Sequence, residues 1–310
     1  NIQNVYISDY WKSFNTIDFT SPLSVKIHLD NISLKELKRF ENTLDEIDIV
    51  NHYVVQEFSL EKVIIKASNE ETDENQYESQ DNIVNNGNKV IKRFSKSKKL
   101  LPKIYKGHEV TIYCGCKYKG KKPNFKSCGF KPKKDVKRAN RIEWEHVVPA
   151  HAFGHSFKEW RMGSEKCVNK KGKKFKGRKC AGKNKTFALM EADLYNLYPA
   201  IGEVNGLRSN YPIAEIPGEK REFGSCDVEI YKKKMEPRDQ VKGNVARTYM
   251  YMEKAYPGRG IISKKNKKLI AAWDKLDPVD KWECERSKKI QKIQKNANLV
   301  LDKACKDKGF

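Results

Sequence analysis

The chain has 310 residues, enough for a buried core in one or two domains, and contains no run of about 18 apolar residues that would make a membrane-spanning helix. Its 63 Lys and Arg against 40 Asp and Glu give a net charge of +23, divided between a front part, residues 1–88, at −9 and a remainder, residues 89–310, at +32. A part this basic argues against a polycationic partner and points to a polyanionic one, nucleic acid foremost, since neutralised phosphates release counterions.

In chain order, Ser24–Leu29 alternates as a strand, and Ser33 opens a helix with Glu36 completing a capping box. Leu34, Leu37, Phe40, Leu44 and Ile47 then repeat at helical spacing, followed by strand-like stretches at His52–Phe58 and Lys62–Ala67. Residues 1–67 therefore read as a small acidic α+β domain with no catalytic constellation; His28 and His52 read as ordinary strand residues. Residues 68–88 are acidic, Asn-rich and poor in apolar side chains, and read as a disordered linker.

Residues 89–310 form the basic part. A helix is expected from about Lys89 to just before Pro102, and Glu109–Tyr113 reads as a strand. Arg141–Val148 reads as a strand stopped by Pro149, which cannot donate to a ladder. Thr186–Leu197 carries Phe187, Met190, Leu194 and Leu197 at helical spacing. Helices are predicted at Lys264–Leu276 and Val279–Ile293, the second capped by Asp277 with Pro278 in its first turn.

All eight cysteines (114, 116, 128, 167, 180, 226, 284 and 305) fall in the basic part. An even number points to up to four disulfides in an exported domain. Zinc is the competing reading, but Cys114-Gly-Cys116 is closer than the usual spacing, and no second Cys-x-x-Cys or His pair completes a site. Connectivity does not follow from sequence, although Cys167 and Cys180 bracket a short Lys/Gly-rich loop that one bridge could close. With no Met at position 1 and no signal-like apolar stretch, an exported protein would start at Asn1 either after processing or as a trimmed chain.

Phosphodiester cleavage with one metal needs a base for water, a hard cation and a positive group for the phosphate. Neutral imidazole suits the first role, and Mg²⁺ keeps most of its waters, so one carboxylate and one amide oxygen suffice to hold it. Arg141-Ile-Glu-Trp-Glu-His-Val-Val-Pro149 offers a base, His146, beside a carboxylate, Glu145, with Glu143 the rival carboxylate on the same strand face. Strand neighbours face opposite ways, so Glu145 and His146 share a site only where the strand is distorted or ends. Asn205-Gly206 reads as a turn. His151 and His155 read as structural residues rather than metal ligands.

The stretch from Ile142 to Ala150, with Met190-Glu-Ala-Asp-Leu-Tyr-Asn through Val-Asn-Gly-Leu-Arg-Ser-Asn210, resembles the endonuclease I family. Tyr113-Cys-Gly-Cys116, Ser127-Cys-Gly129, Gly177-Arg-Lys-Cys180, Ala246 to Met252 and Pro278 to Cys284 extend the likeness over about residues 90–305. The resemblance implies an α+β, mixed helix-and-strand nuclease domain with a ββα-metal (His-Me finger) site, here preceded by the small α+β domain. It implies metal ligands at Glu145 and Asn205, a general base at His146, a phosphate-holding Arg178 and a site-proximal Glu191. It also implies Mg²⁺, with Mn²⁺ or Ca²⁺ able to substitute, eight paired cysteines, and a periplasmic or secreted enzyme acting on DNA and RNA with little sequence preference.

Exposed lysines such as Lys117, Lys119, Lys121, Lys122, Lys131, Lys133 and Lys134 would supply sequence-blind phosphate contacts. The alternative reading is a catalytically inactive nucleic-acid-binding protein on the same fold. A monomer is expected. The acidic front end either masks the basic cleft or recruits another protein, and deleting residues 1–88 separates the two.

Overall fold

The computed structural model describes residues 87–218 and 221–310 in full, together with the backbone of four strands between residues 15 and 68. Two compact units divide the chain, Asn1–Ile83 and Val84–Phe310. In the first, β1 (Asn15–Ser21), β2 (Ser24–Asp30), β3 (His52–Phe58) and β4 (Lys62–Ser68) form an antiparallel sheet of order β1-β2-β4-β3. Ile27 pairs with Ile17 on one side and Ile65 on the other, and a bulge interrupts β3 between Val55 and Glu57. The strands at Ser24, His52 and Lys62 match the sequence reading; β1 carries no comparable sequence signal, and the helix expected from Ser33 lies outside the described residues.

The second unit reaches back into the expected linker. Asn88 is buried and donates its side-chain amide to the carbonyls of Ile91 (2.8 Å) and Leu189 (2.9 Å), while its backbone N–H meets the Tyr256 hydroxyl at 2.8 Å. Helix α1 (Phe94–Ile104) comes next, buried through Ser97, Leu101 and Ile104. It runs past Pro102 instead of stopping before it. Pro102 and Lys98 are both exposed, so the carbonyl that the proline leaves without a donor can turn to water.

Beyond α1 the expected strand at Glu109–Tyr113 shrinks to a single bridge, Val110 to Lys117. Thr111 and Cys116 instead close a turn, with Thr111 N–H on the Cys116 carbonyl at 2.9 Å. A minimal hairpin of β5 (Tyr118–Lys119) and β6 (Lys122–Pro123) leads to α2 (Val136–Ala139) and β7 (Ile142–His146). Three short helices, α3 (Ala150–Gly154), α4 (Lys158–Arg161) and α5 (Arg178–Ala181), precede α6 (Lys185–Glu191). Strand β8 (Leu197–Ile201) pairs antiparallel with β7, and α7 (Gly202–Arg208) leaves β8 directly.

Two sequence expectations change here. The helix drawn through Leu197 ends at Glu191, because Asp193 is fully buried and satisfied from outside the helix. It accepts from the hydroxyls of Tyr251 (2.8 Å) and Tyr256 (2.6 Å) and from the Gln294 amide (2.9 Å). Asn205-Gly206 is not a turn but lies inside α7. A Cβ on Gly206 would meet Arg138 Nη1 at 2.2 Å, so glycine is there to let the Arg138 side chain cross the helix.

The C-terminal part adds a small hairpin, β9 (Glu229–Tyr231) with β10 (Lys234–Glu236), and four helices: α8 (Lys242–Ala255), α9 (Lys264–Leu276), α10 (Lys281–Gln294) and α11 (Leu299–Asp307). α9 has its predicted bounds. The cap of α10 is Asp280, accepting from Glu283 N–H at 2.7 Å, whereas Asp277 ends α9 and accepts from Gly243 N–H at 2.9 Å. Arg286 of α10 is buried and donates to the carbonyls of Leu194, Tyr195 and Leu197 at 2.9–3.2 Å, fixing the approach to β8.

All eight cysteines are bridged, which removes the zinc reading: Cys114–Cys226, Cys116–Cys128, Cys167–Cys180 and Cys284–Cys305. The first spans 112 residues and the third 13. Chain-entropy reasoning gives about 4–5 kcal/mol for a loop near a hundred residues and about 3 for one near fifteen. Replacing Cys114 and Cys226 by Ser is therefore expected to lower unfolding stability in denaturant more than replacing Cys167 and Cys180. Equal losses would count against that account.

Candidate active site

The last two residues of β7 carry the site. Side chains alternate along a strand, so Glu145 and His146 leave it on opposite faces. Both are buried because β7 is covered by β8 on one edge and by the turn at Tyr113 and helix α1 on its faces. The strand stops because Asn196 clamps the next two residues: its carbonyl accepts Val147 N–H at 3.1 Å, and its side chain accepts Val148 N–H at 2.7 Å and donates to the Val148 carbonyl at 2.9 Å, immediately before Pro149.

Glu145 is 3% exposed. Its Oε1 accepts the Tyr113 hydroxyl at 2.9 Å and pairs with Arg208 Nη1 at 3.0 Å. Among the described residues its Oε2 carries no hydrogen bond. Burial raises the pKa of this carboxyl, against the pull of Arg208 and the Tyr113 hydrogen bond. Arg208, at the end of α7, is fully buried and also donates to the carbonyls of His146 (3.0 Å) and Val147 (2.6 Å). One guanidinium thus holds the carboxylate and the backbone of the strand end together.

His146 lies against the Phe94 ring, with centroids 4.7 Å apart, and its Nε2 is 2.8 Å from the Glu191 carbonyl oxygen. A carbonyl can only accept, so Nε2 carries the proton and Nδ1 keeps its lone pair. Burial, with the nearby Arg178 cation, drives the pKa of His146 down to about 3, outweighing the Glu191 hydrogen bond. The ring is therefore neutral near pH 7.

Glu191 acts twice. Its backbone carbonyl orients His146, and its side chain accepts Arg178 Nε at 2.6 Å. Arg178 opens α5 and its side chain is 50% exposed, against 1% for Arg208. The two arginines beside the site are therefore of different kinds: one faces solvent and can meet a ligand, the other is internal.

Asn205 of α7 donates its amide nitrogen to Glu143 Oε2 at 2.8 Å. Glu143 is not a free rival carboxylate, since Arg138 and Arg141 both bind it and the shortest contact, from Arg138 Nη2, is 2.7 Å. Burial would raise its pKa, but these two guanidinium partners hold it below the ordinary carboxylate range. His146, Glu191 and Arg178 are joined by direct contacts at this strand end, and Glu145, on the neighbouring position, faces Tyr113 and Arg208 with the Arg178 charge acting on it as well as on His146. Asn205 is tied to the same strand through Glu143, two residues before Glu145.

Among the described residues no group of three or more His, Cys, Asp and Glu side chains could hold a metal ion. His151 and His155 approach one another, with 2.8 Å between their Nε2 atoms, on the exposed side of α3. Sequence reasoning missed Tyr113, Arg208 and Glu203. Glu203 is buried and takes the backbone N–H groups of Lys133, Lys134 and Asp135, the last at 2.7 Å. It therefore ties the Lys131–Lys134 segment to α7, while Ile142 N–H on the Lys121 carbonyl (2.8 Å) ties the other lysine group to β7. Lys117, Lys119, Lys121, Lys122, Lys133 and Lys134 are exposed, as is Lys131, with Lys133 alongside Glu222.

Known proteins are similar to this chain in sequence over about two thirds of its length. An extracellular deoxyribonuclease of Aeromonas hydrophila is 44% identical over 219 residues, covering 68% of this chain and 90% of the relative. A periplasmic deoxyribonuclease of the same organism is 42% identical, covering 68% and 86% respectively. Endonuclease-1 of Buchnera aphidicola subsp. Acyrthosiphon pisum is 43% identical over 223 residues, covering 70% and 83%. The family profile described as Endonuclease I matches residues 58–305, and the chain belongs to the endonuclease I family.

Proposed function

We propose that this chain is a metal-dependent endonuclease of the periplasm or extracellular space, hydrolysing phosphodiester bonds in DNA and RNA with little sequence preference. The observation that carries the reading is the 2.8 Å contact of His146 Nε2 with the Glu191 carbonyl, which leaves Nδ1 as an acceptor on a strand end that also carries Glu145, while the Glu191 side chain holds the solvent-facing Arg178. In this reading β7, β8 and α7 are the ββα-metal unit. His146 Nδ1 takes a proton from the attacking water, Arg178 binds the phosphate, and Glu191 positions both as a backbone acceptor and a side-chain partner. Four oxidised disulfides and relatives named extracellular and periplasmic support the location.

The donor set fits a hard, hydrated dication. Glu145 offers Oε2, and commitment of the Asn205 amide nitrogen to Glu143 leaves Oδ1 as that residue's ligand atom. A buried carboxylate whose proton affinity is raised is also one that a cation would stabilise. When bound, such an ion, Mg²⁺ or with substitution Mn²⁺ or Ca²⁺, neutralises charge developing on the phosphate and leaving oxygen. A catalytically silent binding protein would not require a base, a phosphate-facing cation and a paired O-donor set at one strand end.

Conversion of supercoiled plasmid to nicked and linear forms tests this. EDTA is expected to slow cutting by about a thousandfold or more, several kcal/mol of barrier, with recovery on adding excess Mg²⁺. Glu145→Ala should match the chelated parent and gain nothing from Mg²⁺. Cutting at the parent rate in EDTA would remove the metal from the mechanism.

A further inference from the structure

We infer that the loop closed by Cys167 and Cys180 is a preformed second contact surface for the phosphate backbone, an inference that rests on the nuclease reading above. From residue 166 to residue 179 the chain contains no acidic residue, and Lys170, Lys171, Lys173, Lys174 and Lys176 are all exposed. The bland alternative is a solvated lysine-rich tip. Such a tip needs no internal architecture, and this one has a good deal.

Asn169 Oδ1 accepts the backbone N–H groups of Lys171 (2.9 Å) and Lys173 (3.0 Å), and Asn169 N–H returns to the Lys173 carbonyl at 3.0 Å. Gly172, at φ +75°, makes the reversal, and Val168 bridges Lys174 across the base. Phe175 N–H reaches the Cys167 carbonyl at 2.9 Å, and Gly177 N–H reaches the Trp160 carbonyl at 3.0 Å. The Phe175 ring is flanked by the ammonium groups of Lys179 and Lys183 at 5.1 and 5.3 Å.

The fold thus fixes the backbone that carries these lysines, and like charges crowded on one short loop repel each other until a polyanion lies along it. Holding them in place beforehand reduces the ordering cost of binding. The loop also continues in sequence into Gly177 and Arg178, whose solvent-facing guanidinium pairs with Glu191, the residue that holds His146.

The test is duplex and single-stranded oligonucleotide binding by anisotropy in EDTA, over a range of salt, using the full oxidised chain. K170Q/K171Q/K173Q/K174Q is expected to weaken binding by about a hundredfold near 0.1 M salt. The slope of log affinity on log salt should become shallower by about 2–4, since each lost duplex contact removes about 0.9. Lys→Arg at the same four positions should keep the parent slope, and K170Q/K171Q alone should lose about half the change, which separates lost charge from lost folding. Parent-like affinity and slope in the fourfold Gln variant would overturn the inference. A parent that binds in this way yet fails to cut with Mg²⁺ would instead defeat the nuclease reading and leave the loop standing.

Discussion

His146→Ala is expected to reduce plasmid cutting by about 10²–10⁴-fold while DNA affinity in EDTA stays at the parent value. The imidazole is the group at the strand end whose proton position is fixed by a backbone acceptor and whose other nitrogen is left to receive a proton. Removing it leaves the Glu191 carbonyl without its donor and opens a gap against Phe94, at a cost of about 1–3 kcal/mol, so thermal unfolding must be followed alongside. The readout that separates chemistry from packing is rescue. Free imidazole can occupy the truncated site and accept the proton, restoring part of the rate at high concentration. A structural role would leave the variant unaffected by imidazole. Cutting within about threefold of the parent would rule out His146 as the base, since general-base removal costs far more.

How much of this is legible in the sequence depends on the range of the interaction. The strand through Glu145 and His146 is readable because alternation and Pro149 are local. α9 has its predicted bounds, and the contact that starts it spans less than one turn: Ser263 accepts Asn266 N–H at 3.3 Å. Asn205-Gly206 misleads because the reason for the glycine is Arg138, distant in sequence and crossing the helix, rather than a turn. Helix propensity through Leu194 and Leu197 loses to Asp193, whose partners come from α8, α10 and the turn after α8. Glu191 orients the base through its carbonyl, which any residue type possesses, so its side chain could announce only the Arg178 contact. Tyr113 and Arg208 lie inside the family motifs, yet nothing in residue type or spacing says that Arg208 is internal and Arg178 is not.

That difference in burial makes the second large prediction. Arg208→Met is expected to cost about 3–5 kcal/mol, because it strands the Glu145 carboxylate and two backbone carbonyls in a buried site. For a unit of this size, about 2–4 °C per kcal/mol places the fall in unfolding midpoint at roughly 6–20 °C. Cutting should also be lost at temperatures where the variant is folded, since Glu145 and the His146 backbone share that one guanidinium. Arg208→Lys cannot span three acceptors with a single ammonium and should recover part of the stability but little of the activity. Arg178→Ala is the contrast: its ion pair with Glu191 is half-exposed, worth about 0–1 kcal/mol, so the midpoint should hold while the cutting rate falls. Differential scanning calorimetry with plasmid assays on the parent and the three variants checks the pattern. A parent-like midpoint for Arg208→Met, or a large drop for Arg178→Ala, would show that the internal and solvent-facing roles of the two arginines have been assigned the wrong way round.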